Sequence, residues 1–336
     1  MASRGAQNFH LAVLNPGGRD CEQHFPDGAG DVGSEHPPTN FHAYAACSRG
    51  SFFCETKSAL ASDMSILLLI RGDFKASERA LIALKKNGRK VAVSLKETGL
   101  HQIANQLSDR ARLSRFLRIV RQADGCIAST PEAAEIYDAT GNGSSVFIPT
   151  PYPLDDSRWD FSKPLDTRRG IFVGTREWNV PSRNHLGALL IARQLSGLTG
   201  EPVTVFNFDG RKGRELLSQL DFPAKKLCVL EKKIPYPEYL REIARHKIVF
   251  QLDTSFVPGQ VAGDALLCRV PCIGGNGAVD RLVFPKTTSI GETKELALRL
   301  LRDRDFYREV IAIAEQTKRL TFASVASELE NFFATL

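Results

Sequence analysis

Short apolar runs alternate with amphipathic segments along most of the chain. Residues 66–70 form a continuous apolar run, as in a strand that is covered on both faces of its sheet. In Lys75–Lys86 the apolar residues Ala80, Leu81 and Leu84 recur at intervals of three and four, which predicts an amphipathic helix. This alternation of buried strands with helices predicts α/β domains built on parallel sheets.

The same pattern extends over both halves of the chain. The other predicted strands are residues 10–14, 43–47, 90–95, 124–129, 146–149, 170–174, 203–208, 226–230, 248–252 and 271–273. The other predicted helices are 106–122, one that begins at Pro131 behind a Thr130 N-cap, 185–195, one from Pro237, 264–268, 296–301, 310–319 and 325–333. A polar, proline-punctuated linker at 154–169 separates an N-terminal domain, 1–153, from a C-terminal domain, 170–322.

The stretch from residue 248 to 280 places glycines where a strand turns into a helix. Its apolar strand ends before Pro258-Gly259, and a glycine there lets the backbone turn sharply or approach a ligand closely. The helix predicted from Asp264 puts residues 259–263 at a helix N-terminus, where free N–H groups and a partial positive charge suit a phosphate. The next strand ends in a second glycine-rich turn at 274–277. The sequence therefore predicts an anion site at the carboxyl ends of parallel strands.

These residues resemble the donor-site core of retaining nucleotide-sugar glycosyltransferases with the GT-B fold, the large family-4-like group 1. That family carries a Glu, then a glycine, then a second acid. Gly259 matches the glycine, Asp264 matches the second acid, and residues 265–271 match the helix and turn that follow. The first Glu position falls on Phe256, which cannot act as a carboxylate. Residues 123–153 also resemble the end of that family's N-terminal domain.

The resemblance implies two Rossmann-like, doubly wound domains facing a cleft, with a C-terminal helix at 323–336 that crosses back to the N-terminal domain. It places the donor diphosphate at Arg176 and Arg183, whose guanidiniums would stabilise the leaving group without a metal. The nucleobase is expected at Ile234 and the ribose at Asp264. The other donor-binding candidates are Gly17, Gly18, Gly174, Gly259, Gln260 and Val261.

Several of these candidates also have a purely structural interpretation. Either arginine could instead form a surface ion pair, and Asp264 could be a charge that stabilises a helix N-terminus. Gly17-Gly18 could simply end the first strand, since paired glycines do so in many proteins. The sequence alone leaves these alternatives open.

The acceptor-side candidates follow the predicted strand at 90–95. By position in the resembled family, Glu97, Thr98 and His101 would contact the acceptor or transfer a proton, whereas the alternative is a solvated loop. His101 therefore joins Arg183 and Arg176 as a candidate catalytic residue.

The predicted helix at 106–122 has one apolar and one basic face. A basic face is usually solvated, but it can also rest on anionic lipid when the acceptor is lipid-linked. The sequence therefore allows a peripheral membrane contact through Arg110, Arg115, Arg118 and Arg121.

The spacing of the cysteines and the length of the apolar runs indicate the cellular compartment in which the protein is expected. The seven cysteines follow no disulfide pattern, which is typical of a reducing cytoplasm, and the N-terminus lacks the apolar core of a signal peptide. The longest apolar run is far too short to span a bilayer, so a soluble or peripheral protein is expected. In the polar 19–40 loop, Cys21, His24, His36 and, just beyond it, His42 match no zinc signature, and no metal or other cofactor is expected.

Charge and motifs favour one class of function. A net charge of +6 suits an anionic substrate, although an evenly solvated surface explains it equally well. No G-x-G-x-x-G follows a strand, which argues against a dinucleotide oxidoreductase, and basic residues are not interleaved with stacking aromatics, which argues against nucleic-acid binding.

The predicted function, implied by the resemblance, is that of a metal-independent hexosyltransferase in polysaccharide or glycoconjugate synthesis. It would move a sugar, with retention of configuration, from a nucleotide-sugar donor to a saccharide or lipid-linked acceptor. The donor is expected to be UDP-linked, because UDP is the most frequent carrier in the resembled family. The alternative, motivated by Phe256, is a catalytically inactive nucleotide-sugar-binding or regulatory protein.

Overall fold

The chain folds into two compact units, each of which carries its own sheet. The computed structural model describes residues 9–20, 22–33, 37–140, 143–175, 178, 180–223 and 225–336. The first unit comprises residues 1–155 together with 319–336, and the second unit comprises residues 156–318.

The first unit is built on a seven-stranded sheet in the order β2-β3-β1-β4-β5-β6-β7, in which only β2 is antiparallel to its neighbour. Its strands are β1 (Leu11–Leu14), β2 (Gln23–His24), β3 (Ser51–Phe53), β4 (Ser65–Ile70), β5 (Val91–Leu95), β6 (Gly125–Ala128) and β7 (Ser145–Phe147). Its first six helices are α1 (Phe41–Cys47), α2 (Thr56–Ala61), α3 (Lys75–Lys86), α4 (Leu100–Leu107), α5 (Arg110–Gln122) and α6 (Pro131–Asp138). Leu68 and Ile70 face one core and Leu67 and Leu69 the other, as period-two alternation in a doubly covered strand requires.

The second unit is built on a five-stranded, all-parallel sheet in the order β10-β9-β8-β11-β12. Its strands are β8 (Ile171–Val173), β9 (Val203–Phe206), β10 (Leu227–Leu230), β11 (Ile248–Gln251) and β12 (Cys272–Gly274). Its helices are α7 (His185–Thr199), α8 (Arg211–Gln219), α9 (Tyr236–Ile243), α10 (Gln260–Leu267), α11 (Ala278–Val283), α12 (Ile290–Arg302) and α13 (Arg304–Glu315). The predicted pair of α/β domains with parallel sheets is thereby confirmed.

The last helix, α14 (Phe322–Thr335), belongs to the first unit although it follows the whole of the second unit along the chain. Val325, Leu329 and Phe333 form a buried stripe that packs into the same core as Tyr44 and Phe52. Ahead of this helix, the Tyr152 N–H donates to the Leu320 carbonyl at 2.8 Å.

Two predicted elements of the first unit are wrong. Residues 43–47 form most of α1 rather than a strand, and the neighbouring strand is β3, which the sequence reading missed. The run AYAAC is alanine-rich and buried all round, so it shows no helical period. The predicted helix at 106–122 is two helices, because Asp109 interrupts it and caps α5 by accepting a hydrogen bond from the Arg112 N–H at 2.8 Å.

In the part of the chain that the structure describes, no helix is both long enough and apolar enough to cross a lipid bilayer.

Candidate functional site

Each sheet has a point at which the chain reverses the direction in which it adds strands. In the second unit the chain starts at β8, adds β9 and β10 on one side, and then returns to add β11 and β12 on the other. In the first unit the corresponding gap lies between β1 and β4. Ligands of open α/β sheets bind at the carboxyl ends of the strands at such a switch point. The residues that follow β8, β11, β1 and β4 are therefore the candidate functional residues.

In the second unit, backbone hydrogen bonds join the three loops that follow β8, β11 and β12. The Thr254 N–H donates to the Ser182 carbonyl at 2.8 Å, which ties the β11 loop to the β8 loop. The Asn276 N–H donates to the Asp253 carbonyl at 3.2 Å, which ties the β12 loop to the β11 loop. These bonds hold the loops as one structure at the carboxyl edge of the sheet.

Glycines allow helix α10 to begin directly against the end of β8. A Cβ on Gly174 would lie 2.4 Å from the Val261 side chain, so only glycine allows this approach. Gly259 is the N-cap of α10 and has φ +91°, a left-handed conformation that glycine adopts without strain. The helix begins at Gln260, before the predicted start at Asp264. Gly174, Gly259, Gln260 and Val261 are thus brought together, and their role in donor binding stays a prediction.

A buried carboxyl group, that of Asp280, lies beneath this helix start. Asp280 is 4% exposed, and Cβ atoms added to Gly259, Gly274 or Gly277 would lie 2.8, 1.9 and 1.6 Å from its carboxylate oxygens. The three glycines therefore form the walls of a niche that the carboxyl group fills. The Cys272 thiol approaches one oxygen at 3.6 Å, and the other oxygen accepts no hydrogen bond from any described residue.

The niche changes the acidity of both groups. Burial, and then the negative charge of Asp253, raise the pKa of Asp280 from 3.8 to about 7. Burial and the neighbouring Asp280 likewise raise the pKa of the Cys272 thiol well above its usual value, so Cys272 is a neutral thiol rather than a nucleophilic thiolate. Asp280 therefore changes its charge state near neutral pH.

Arg183 is held by a buried acid that follows β11. Its guanidinium lies 3.0 Å from a carboxylate oxygen of Asp253, which is 2% exposed, while the Arg183 side chain keeps 17% of its surface exposed. The Gln251 amide donates to the other Asp253 oxygen at 2.5 Å. The predicted alternative of a surface ion pair does not describe this contact, because the acid is fully buried. Arg183 is a fixed cation with one accessible face.

Asp264 lies in the second turn of α10 and is 1% exposed. The Tyr236 hydroxyl donates to its carboxylate at 2.5 Å. Ile234 is half-buried and lies two residues before Tyr236, so the loop after β10 and the helix α10 meet at this bond. Because the first turn of α10 ends before Asp264, the alternative role as a helix N-terminal charge is not supported. The ribose and nucleobase assignments stay predictions.

Phe256 occupies the position where the resembled family has its first acid. The ring is half-buried, and the Arg281 guanidinium lies 4.9 Å from its centre. Asp253, three positions before Phe256, and Asp280, next to Arg281, are acids that the sequence reading missed. Arg176 lies outside the described residues.

A histidine at the start of α7 was also missed. His185 is 4% exposed, its Nδ1 lies 3.1 Å from the Thr175 hydroxyl, and its ring lies 4.4 Å from that of Trp178. Its Nε2 has no hydrogen-bond partner among the described residues. Burial lowers the pKa of His185 to about 4, so the ring is neutral at physiological pH.

In the first unit, the loops after β1, β4 and β5 meet through polar and charged side chains. Asp20 accepts a hydrogen bond from the Asn15 amide at 2.8 Å and pairs with Lys96 at 3.1 Å. The Arg71 guanidinium donates to the Gly17 carbonyl. Burial alone would raise the pKa of Asp20, but the hydrogen bonds and charge of Lys96 and Asn15 outweigh it and lower that pKa.

The predicted acceptor-side residues lie just beyond Lys96. Glu97 is exposed and accepts a hydrogen bond from the Gln102 amide at 3.1 Å, whereas Thr98 is buried. His101 is half-buried within α4, so it belongs to a helix rather than to a solvated loop. Gly17 and Gly18 form the turn after β1, and a Cβ on Gly18 would lie 2.4 Å from the Asn15 amide.

The basic face of α5 is partly committed to contacts within the first unit. Arg115 and Arg118 pair with Glu78 of α3 at 3.1 and 2.8 Å, and Arg115 also donates to the Asp73 carbonyl at 2.7 Å. Arg110 and Arg121 are exposed. A lipid contact through this face stays a prediction.

Fold and switch-point residues together define an α/β protein of the GT-B glycosyltransferase fold, as the sequence predicted. The chain is similar to sucrose-phosphate synthase from Thermosynechococcus elongatus, at 14% identity and a TM-score of 0.66, over 97% of this chain and 98% of that one. It is also similar to HepE from Anabaena in complex with UDP-glucose, at 18% identity and a TM-score of 0.56, over 84% and 81% of the two chains.

A third similar structure is a UDP-forming trehalose-phosphate synthase from Burkholderia xenovorans, at 10% identity and a TM-score of 0.61, over 87% and 77% of the two chains. At these identities the likeness establishes the fold. No family model and no curated protein matches the sequence.

Proposed function

We propose that the protein transfers a sugar from a UDP-linked donor to a saccharide or lipid-linked acceptor, with retention of configuration, in polysaccharide or glycoconjugate synthesis. The observation that carries the proposal is the second unit's switch point, where Gly174, the N-terminus of α10 and the Arg183 cation converge. Two structures of the same fold, one described with UDP-glucose and one as UDP-forming, support the choice of UDP.

The diphosphate would bind between the Arg183 guanidinium and the first N–H groups of α10. A helix N-terminus and a fixed guanidinium both stabilise the negative charge that grows on the leaving diphosphate. Asp253 fixes the direction of Arg183 and remains buried behind it. This arrangement would supply the charge that a metal supplies in other transferases, so the activity is proposed to be metal-independent.

Asp264 and Ile234 would contact the nucleoside. Asp264 would accept hydrogen bonds from the ribose hydroxyls, sharing its carboxylate with Tyr236. Ile234 would present its backbone groups to the edge of the base. His101, Glu97 and Thr98 of the first unit are proposed to act on the acceptor.

The first test measures UDP binding and UDP release from UDP-glucose in the wild type and in Arg183→Gln. We expect Arg183→Gln to lower kcat/KM by about 100-fold, the effect of removing one donor that stabilises developing charge. Arg193→Gln is the matched control, because Arg193 is a solvent-facing arginine of α7 that pairs with Asp221 at 3.7 Å. EDTA should change neither variant's rate, and the anomeric configuration of the product is read by NMR.

A second candidate function is nucleotide-sugar binding without turnover, in a regulatory role. Phe256 favours it, because an aromatic ring stacked with Arg281 stands where the resembled family has a carboxylate. Saturable UDP-glucose binding with no UDP release over any acceptor tested would establish this second function. If neither UDP nor UDP-sugars bind, both proposals are wrong.

The exposed arginines of α5 are proposed to give a weak contact with anionic membranes. The double variant Arg110→Gln/Arg121→Gln should reduce sedimentation with vesicles that contain phosphatidylserine, relative to Arg193→Gln. Equal sedimentation of the two variants would show that Arg110 and Arg121 do not contribute to membrane binding.

A further inference from the structure

A pocket of about 340 Å³ lies at the amino edge of the second unit's sheet, at the opposite ends of the strands from Gly174 and Asp253. Arg169 precedes β8 and Lys247 precedes β11, and the Lys247 N–H donates to the Gly170 carbonyl at 2.9 Å. The end of α12 and the start of α13 close the other side. The residues that line the pocket are Leu165, Asp166, Arg169, Lys247, Leu300, Leu301, Arg302 and Arg304.

The lining carries four cations and one acid. Arg304 pairs with Asp166, and Lys247 pairs with Glu201, whose other oxygen accepts a hydrogen bond from the Gly170 N–H at 2.6 Å. Those two cations therefore have their charge balanced by a carboxylate.

Arg169 and Arg302 contact backbone carbonyls, in contrast to Lys247 and Arg304, which pair with carboxylates. Arg169 donates to the carbonyls of Asp166 and Arg168 at 2.9 and 2.7 Å, and Arg302 approaches the Leu198 carbonyl at 3.5 Å. Among the described residues neither forms an ion pair. Two arginines whose charge no described carboxylate balances therefore line one small pocket, which creates a positive potential within it.

The pocket's floor and its size limit what could bind. Leu165, Leu300 and Leu301 give it an apolar floor, against which a sugar ring or similar body can pack. A volume of about 340 Å³ is at the lower end of the range for ligand sites, so the occupant is small. Guanidinium groups match phosphate oxygens in pairs, and a phosphate ester carries close to two negative charges at neutral pH.

We propose that this pocket is a second ligand site, which binds a small phosphate ester of about monosaccharide size through Arg169 and Arg302. The site is separate from the proposed donor site and does not depend on the proposed function, because it lies at the other edge of the sheet and shares no residue with it. The opposing explanation is that Arg302 only offsets the partial negative charge at the end of α12.

Calorimetric titration with glucose 6-phosphate at constant ionic strength tests the proposal. We expect saturable binding to the wild type and a loss of about tenfold or more in affinity in Arg169→Gln/Arg302→Gln, because two charge-assisted contacts are removed. Glucose should not bind, and inorganic phosphate should bind more weakly. Succinate, a dicarboxylate of similar charge, should not compete.

Two control variants make the outcome specific. Arg308→Gln removes an exposed arginine of α13 outside the pocket and should bind as the wild type does, as should Arg183→Gln at the donor site. Asp166→Asn should tighten binding, because it removes the pocket's acid and leaves Arg304 uncompensated. Absence of saturable binding, unchanged affinity in the double variant, or equal competition by succinate would overturn the proposal.

Discussion

The carboxyl edges of the two sheets hold their polar side chains in different ways. In the second unit the acids Asp253, Asp264 and Asp280 are each at most 4% exposed and are enclosed by glycines, helix starts and fixed partners. In the first unit the pair Asp20–Lys96 keeps about a third of each side chain in contact with solvent, at 36% and 30%. Buried acids fix a geometry before any ligand arrives, whereas a half-exposed ion pair can rearrange around different ligands.

The largest expected difference between the two edges is the sign of their pH dependence. Between pH 3.8 and about 7, Asp280 keeps its proton in the folded state and has lost it in the unfolded state. The free energy of unfolding therefore falls by roughly 4 kcal/mol at most as the pH rises through this interval. Above the interval it is level with respect to Asp280. Asp280→Asn should abolish the fall, which urea unfolding at a series of pH values would measure.

Asp20 should show the opposite dependence. Its folded pKa lies below its unfolded value of 3.8, so its contribution is fully present above that pH and is lost as the pH falls further. Asp20→Asn should therefore lower stability by the same small amount at every pH between 5 and 8 and leave the pH dependence in that range unchanged. If the wild-type fall in stability from pH 4 to 7 persisted in Asp280→Asn, the fall would not be due to the raised pKa of Asp280.

The next largest effect is expected on removing one acid from each edge. Asp253→Ala leaves Arg183 mostly buried without its carboxylate and should cost about 3 kcal/mol, whereas Asp20→Ala should cost about 0.5 kcal/mol. Both tryptophans, Trp159 and Trp178, lie in the second unit, so their fluorescence in urea reports the first change. Hydrogen exchange of first-unit peptides reports the second. Equal costs at the two edges would show that the buried and the half-exposed ion pairs do not differ in their contribution to stability.

The smallest of these effects concerns glycines. Gly277→Ala puts a Cβ 1.6 Å from the Asp280 carboxylate and should cost about 2 kcal/mol, because the niche cannot expand without moving α11. Gly17→Ala meets no atom within 4 Å and should cost only about 1 kcal/mol, for its φ of +66°. Gly197→Ala, inside α7 and equally free of contacts, should be neutral or stabilising. The ranking is checked by urea midpoints of the three variants.

Local patterns were sufficient to predict much of this structure. Strand β4, helix α3 and the glycine at the start of α10 follow from the spacing of apolar residues and from the positions of glycines within short stretches of sequence. Arg183 was a candidate through the resemblance, because that family has basic residues between a glycine-ended strand and the next helix. By contrast, α1 was predicted as a strand because a helix buried on every side loses its period.

The missed site residues share a physical reason. Asp280 is recognisable only when Gly259, Gly274 and Gly277, from two separate loops, are known to surround it. Asp253 is recognisable as a site residue only through its ion pair with Arg183, seventy positions earlier. Asp20 is recognisable only through its ion pair with Lys96. Such contacts depend on the sheet order rather than on any local sequence pattern.

The return of α14 to the first unit has a consequence for the order of folding. Residues 156–318 are contiguous and can complete their core as soon as they leave the ribosome. The first unit cannot, because Val325, Leu329 and Phe333 fill a core whose other buried members all precede residue 149. We expect nascent chains that stop before residue 319 to carry a finished second unit and an open, chaperone-binding first unit, so the part of the chain made first would be the last to become native.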